Sequence, residues 1–138
     1  MTAKTTLIRL HKYKVDQVRQ KLAGLESMKA ELMSRRSQLD ETLERERVRA
    51  KDSDIGRIAF PTFLKSVRDR QDNLQRSADE LEGQISEVRE ELAEAFRELK
   101  TFETAEAVEQ EREMAADARA EQIELDDMAI ETHRRNAV

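Results

Sequence analysis

Two series of mainly apolar residues run along this chain in steps of three and four positions. The first, here called the first seam, has eight aliphatic residues among eleven positions: Ile8, His11, Val15, Val18, Leu22, Leu25, Lys29, Leu32, Arg36, Leu39 and Leu43. The second seam comprises Phe60, Leu64, Val67, Gln71, Leu74, Ala78, Leu81, Ile85, Val88, Leu92, Ala95, Leu99 and Phe102. This spacing places each series on one face of a helix, as in a heptad coiled coil.

The segment KDSDIGRIAFP separates the two seams. Ser53 and Gly56 are typical of turns and helix caps. Pro61, the only proline, fits the first turn of a helix, where its missing N–H has no partner to lose. The sequence therefore predicts one domain over residues 1–138, with a helix at about 4–51, a turn at about 52–60, a helix at about 61–130 and a frayed C-terminal tail.

Charge indicates how the two helices pair. Residues 1–51 carry a net charge of +6, residues 52–100 of −4 and residues 101–138 of −7. A bend near residue 56 would place residue i opposite roughly residue 113 − i, so that the basic start lies along the acidic end. We therefore predict an all-α fold, in which two long helices form an antiparallel coiled-coil hairpin. The longer C-terminal helix projects past the N-terminus from about residue 107.

Composition excludes several classes of protein. Charged residues make up 40% of the chain, and there is no cysteine to form a disulfide or a thiolate site. No apolar run approaches the ~20 residues of a membrane span, and the start lacks the apolar region of a signal peptide. The acidic remainder of the chain disfavours nucleic acid as a partner. These features predict a cytoplasmic protein without direct membrane insertion.

Candidate catalytic groups are sparse. The two histidines, His11 and His133, lie far apart in the sequence, and the three glycines are isolated. His11, Lys29 and Arg36 interrupt the first seam, and we interpret them as structural residues that pack or set register. We expect no enzyme, no catalytic or metal-binding residue and no cofactor.

Phe60 and Phe63 stand out at the bend, where a two-helix hairpin has little interior to receive them. They either cap the seam locally or serve as exposed anchors for a partner. The two roles are compatible, and the residues alone do not decide between them.

A family resemblance rests on two segments. LIRLHKYKVDQVRQKLAGLE at residues 7–26 and IAFPTFLKSVRDRQDNLQRSADELEGQI at residues 58–85 resemble the FliJ proteins of the flagellar type III export apparatus, most closely their alphaproteobacterial branch. The specific part is the aromatic-Pro-Thr-aromatic turn at Phe60–Phe63, followed by residues 70–73.

The resemblance implies a non-enzymatic central stalk and chaperone escort for flagellar protein export. Its partners would be the hexameric export ATPase, the cytoplasmic domain of the export-gate membrane protein and export chaperones, which would hold it peripherally at the inner membrane. The implied gate-binding residues are Phe60, Phe63, Val67, Arg70, Leu74, Leu39, Leu43 and Arg47. Some members of the family have tyrosines in the first-helix segment that matches Leu39, Leu43 and Arg47, and this chain has none there. The residues expected at the ATPase end are Ile8, His11, Val15 and Phe102.

Three other functions stay open from the sequence. The stalk of an injectisome has the same physical features. A coiled-coil holdase or adaptor would bind many unfolded clients through exposed seam residues. A nucleic-acid-binding coiled-coil arm is disfavoured by the acidic charge.

Overall fold

The computed structural model describes residues 2–137, which form two α-helices joined by a short turn. Helix α1 spans Ala3–Ala50 and helix α2 spans Asp54–Asn136, and the described residues include no strand. The predicted all-α class and the helical hairpin are confirmed. The predicted domain limits, Met1 and Val138, lie outside the described residues.

The chain divides into two compact units. The hairpin unit consists of Tyr13–Ala95 and includes the turn. The terminal unit combines Met1–Lys12 with Phe96–Val138.

The core of the hairpin unit follows the predicted seams. Its buried residues are Val15, Val18, Leu43, Val67, Gln71, Ala78, Leu81, Ile85, Val88 and Ala95. Each of them is a seam position, because only one face of each helix meets the other. Burial of the apolar side chains among them is the main term that stabilises a helix pair of this kind.

Gln71 is a polar residue within this apolar core, with only 2% of its surface exposed. Its Nε2 donates hydrogen bonds to the backbone carbonyl of Arg36 (3.0 Å) and to Oδ1 of Asp40 (2.8 Å). Its Oε1 accepts a hydrogen bond of 2.7 Å from Arg68, which also donates to Asp40 at 3.2 Å. A satisfied polar group at a seam position favours one register, because a shift of the helices would leave it buried without partners.

Charged pairs connect the two helices in the predicted alignment. Within the hairpin unit, Lys29 lies 2.7 Å from Glu82 and Lys21 lies 3.5 Å from Glu91. The alignment rule places Lys21 opposite residue 92, one residue from its observed partner. Exposed pairs contribute only about 0–1 kcal/mol each, so their effect is mainly on orientation and register.

Acid is expected to weaken the hairpin unit through Asp40 and Glu82. The hydrogen bond from Gln71 lowers the pKa of Asp40, and the hydrogen bond from Lys29 lowers the pKa of Glu82. A carboxylate whose pKa is lowered by folding stabilises the fold above its unfolded pKa, near ~4, and that stabilisation is lost as the pH falls through the lowered value. The melting temperature, followed by circular dichroism, should therefore fall below about pH 4. The melting temperature of the double variant Asp40→Asn, Glu82→Gln should fall less on acidification. If the melting temperatures of the variant and the native chain fell in parallel with pH, this assignment would be contradicted.

The start of α2 corrects one prediction. Ser53 caps the helix, because its Oγ accepts a hydrogen bond of 2.9 Å from the backbone N–H of Gly56. The prediction that α2 begins at Pro61 is wrong, since the helix begins at Asp54 and Pro61 lies inside it. The serine cap and the acidic first residue start the helix upstream, although Pro61 cannot donate a hydrogen bond to the carbonyl of Arg57.

Gly56 allows the start of α2 to approach the end of α1. A Cβ atom at this position would lie 3.0 Å from Cα of Ala50 and 2.9 Å from Oγ of Ser53. The backbone of Ala50 cannot move aside without opening the turn. Gly24 and Gly83 differ, because a Cβ atom there would have no neighbour within 4 Å among the described residues.

Alanine substitutions at these three glycines should change the free energy of unfolding in opposite directions. Gly24→Ala and Gly83→Ala should each raise the free energy of unfolding by up to about 1 kcal/mol, because alanine favours the helix. Gly56→Ala should lower it, because the clash at the turn outweighs the same gain in propensity. Urea denaturation of the three variants measures the difference. A stabilising effect of Gly56→Ala would show that the turn does not require the close approach.

In the terminal unit, the start of α1 packs along α2. Leu99 is buried there, and Lys4 forms an ion pair with Glu109, the residue that the alignment rule predicts. Every residue of α2 from 110 to 130 is exposed. The predicted projection of α2 past the N-terminus is confirmed.

The predicted helix end at about residue 130 is wrong, because α2 continues to Asn136, with His133, Arg134 and Arg135 in its last turn. Basic side chains at this position interact favourably with the helix dipole.

Candidate functional site

A groove lies at the turn, between the end of α1 and the start of α2. Its volume is about 440 Å³, and its lining includes Glu46, Arg49, Ala50, Asp52, Phe60 and Phe63. The rings of Phe60 and Phe63 are 6.5 Å apart at their centres and tilted by 41°. We call this feature the bend groove. It combines an aromatic wall with charged side chains, which suits recognition of a protein surface.

Both phenylalanines of the bend groove are half-buried. Both residues also line the groove, so each is partly accessible there. Partial burial together with access to the groove is compatible with both roles that the sequence leaves open, local capping and contact with a partner. Binding itself stays a prediction.

The other residues predicted to bind at the bend differ in accessibility. Leu43 and Val67 are buried between the helices, with 3% and 5% of their surface exposed. Leu39 and Leu74 are half-buried, whereas Arg47 and Arg70 are exposed. Only the half-buried and exposed residues can contact a partner while the helices stay paired.

The residues predicted for the ATPase end are divided between the units. Ile8, His11 and Phe102 lie in the terminal unit, and Val15 is a buried residue of the hairpin unit. The ring of His11 stacks on Phe102 with centres 4.5 Å apart and planes 23° apart. Nδ1 of His11 lies 3.6 Å from a carboxylate oxygen of Glu98, which gives an ion pair when the histidine is protonated. The stack supports a packing role for His11, and a role in binding stays a prediction.

The segment of α2 beyond the start of α1 is the second accessible surface. We call residues 113–136 the overhang. It exposes five large apolar side chains by more than half: Met114, Ile123, Leu125, Met128 and Ile130. It carries seven acidic and three basic residues, a net charge of −4. An isolated helix gains nothing from such apolar side chains in water, so they are available to a partner.

Sequence reasoning missed individual residues at both surfaces. It predicted the projection of α2 but named none of the exposed apolar residues of the overhang. At the bend it named Phe60 and Phe63, whereas Ile55 and Ile58 are the most exposed large apolar residues of the described chain. Their signal in the sequence was that they do not belong to either seam.

The described residues hold neither a metal-binding cluster nor a membrane-spanning stretch. Among them, no group of three or more His, Asp and Glu side chains is placed to hold a metal ion. Neither helix, as far as it is described, contains a stretch long and apolar enough to cross a bilayer.

Comparison with known proteins identifies a family for this chain. No curated protein and no solved structure matches the chain. The family profile described as "Flagellar FliJ protein" matches residues 4–137, nearly the whole chain. The protein therefore belongs to the flagellar FliJ family. Members of this family are known as non-enzymatic components with a role related to flagellar export. The match favours the flagellar system over the injectisome.

Proposed function

We propose that this protein couples the export ATPase hexamer to the membrane export gate as a non-enzymatic stalk of the flagellar export apparatus. In this proposal the overhang contacts the ATPase and the bend groove contacts the cytoplasmic domain of the gate protein. Export chaperones are further partners, and these contacts hold the protein at the inner membrane from the cytoplasmic side.

The observation that carries the proposal is the overhang. Every residue of α2 from 113 to 130 is exposed, and the overhang displays five large apolar side chains. Such a helix suits insertion among the subunits of a larger assembly, where its apolar residues are buried. Family membership supports the choice of the export ATPase as that assembly.

The charges of the two surfaces support two different partners. The overhang has a net charge of −4, whereas residues 45–70 around the bend carry eight basic and four acidic residues, a net charge of +4. Charge complementarity steers association and suppresses wrong partners. A partner suited to one surface is therefore poorly suited to the other.

Titration of the purified chain into the purified export ATPase tests this function. The chain alone should hydrolyse no ATP. In the mixture, ATP turnover should rise and then saturate, because a ligand shifts the conformations of the ATPase only by its differential affinity for them. Absence of any stimulation by the native chain would contradict the proposal.

A further inference from the structure

An exposed apolar pair lies on the outer side of the bend. Ile55 and Ile58 are 81% and 79% exposed, the highest values among the large apolar residues of the described chain. They lie one helical turn apart on one side of α2, a side that continues along the helix to Thr62 and Lys65. We call these four residues the outer bend face.

Folding of the hairpin does not account for this pair. Helical spacing places Ile55 and Ile58 on the side of α2 away from the second seam, and neither residue lines the bend groove. Val48, in the last turns of α1, is also exposed by more than half. Single exposed apolar residues are common on proteins, but an adjacent pair exposed to this degree indicates a surface for binding.

The charges around the outer bend face define its partner. Lys51 and Lys65 form no ion pair with any described residue, so their charges are available to a partner. Asp54 is paired with Arg57 at 2.7 Å. Residues 45–70 as a whole carry a net charge of +4, so the bend is a basic surface around an apolar centre, which complements an apolar pocket with an acidic rim.

We infer that Ile55 and Ile58 insert into an acidic-rimmed apolar pocket on the cytoplasmic domain of the gate protein. This inference rests on the proposed function and adds a second contact beside the bend groove. A bilayer fits less well, because the outer bend face has no aromatic residue to anchor it at a membrane interface and only one basic residue, Lys65, to attract anionic lipids. A second copy of the bend would bring like charges together.

Binding of the purified gate domain to variants of the full-length chain tests the inference. The double variant Ile55→Gln, Ile58→Gln retains helix propensity and adds no charge. It should bind about tenfold or more weakly than the native chain by isothermal titration calorimetry. Met28→Gln, which changes an exposed apolar residue far from the bend in sequence, should bind like the native chain. Circular dichroism checks that the variants are folded, and Ile58→Lys serves as a second variant if the double variant is not.

Substitutions of opposite charge at Ile58 test whether the rim of the partner's pocket is acidic. Against an acidic rim, Ile58→Glu should weaken binding more than Ile58→Lys, and the difference should shrink at high salt. Equal binding by the double glutamine variant and the native chain would overturn the inference while the proposed function stands. No binding by the native chain would instead contradict the proposed contact with the gate.

Two further measurements can overturn the assignment. Cosedimentation of the native chain, but not of the double variant, with phosphatidylglycerol vesicles would assign the outer bend face to a membrane. A dimer of the native chain that the double variant loses in sedimentation equilibrium would assign it to self-association. Monomeric behaviour of both chains without vesicle binding supports the gate as partner.

Discussion

Replacing Phe63 with alanine is expected to weaken binding to the cytoplasmic domain of the gate protein by roughly thirtyfold, because loss of an aromatic anchor typically costs about 2 kcal/mol or more. The far-ultraviolet helical signal should stay nearly unchanged. Phe63 is only half-buried, and the buried core of the hairpin unit is supplied by seam residues such as Val67 and Ile85. Calorimetric titration and circular dichroism measure the two effects on the same sample.

Tyr13→Ala is the matched control for this substitution. Tyr13 is an exposed aromatic residue of the hairpin unit that does not line the bend groove. Its removal should leave affinity for the gate domain unchanged. Native affinity in Phe63→Ala would restrict Phe63 to capping the seam, and an equal loss in Tyr13→Ala would show that the effect is not specific to the bend.

Ending the chain at Arg112 is expected to abolish most of its stimulation of the export ATPase. The shortened chain keeps the ion pair between Lys4 and Glu109 and the neighbouring groove, whose lining includes Arg112. It should therefore fold, as judged by its helical signal and melting temperature. It lacks the whole overhang, whose apolar side chains we propose to bind the ATPase.

Shortening the chain removes both the apolar contacts of the overhang and the length of its helix, and a substitution distinguishes the two effects. Ile123 and Ile130 are exposed and lie seven positions apart, so they share one side of the overhang. Ile123→Gln, Ile130→Gln keeps the helix and its charge and should also reduce stimulation. Full stimulation by the chain that ends at Arg112 would show that the overhang is dispensable.

Most of the fold could be predicted because it follows from periodicity. Every buried residue that the structure describes belongs to one of the two seams, and the ion pair of Lys4 with Glu109 follows the predicted alignment. A two-helix coiled coil buries only one face of each helix, so the spacing of apolar residues determines which residues are buried.

The bend was harder to predict because two local signals compete there. Pro61 favours a helix start at its own position, whereas Ser53 caps a helix that begins at Asp54. Because the helix was predicted to start at Pro61, Ile55 and Ile58 were assigned to a turn. Their position on one side of a helix could therefore not be predicted. The partners of Gln71 were also unpredictable, because they depend on the rotation of each helix as well as on its register.

Coupling of the ATPase to the gate requires that one chain join two partners through separate surfaces. Its most direct test is to immobilise the cytoplasmic domain of the gate protein and measure capture of the purified export ATPase, with and without the native chain. We predict that the native chain raises capture of the ATPase. Phe63→Ala should give less capture because it binds the gate domain weakly, and the chain ending at Arg112 should give less because it binds the ATPase weakly. Phe63→Ala should still stimulate the ATPase, and the shortened chain should still bind the gate domain. Capture that is the same without the chain, or a native chain that binds only one partner at a time, would contradict the account.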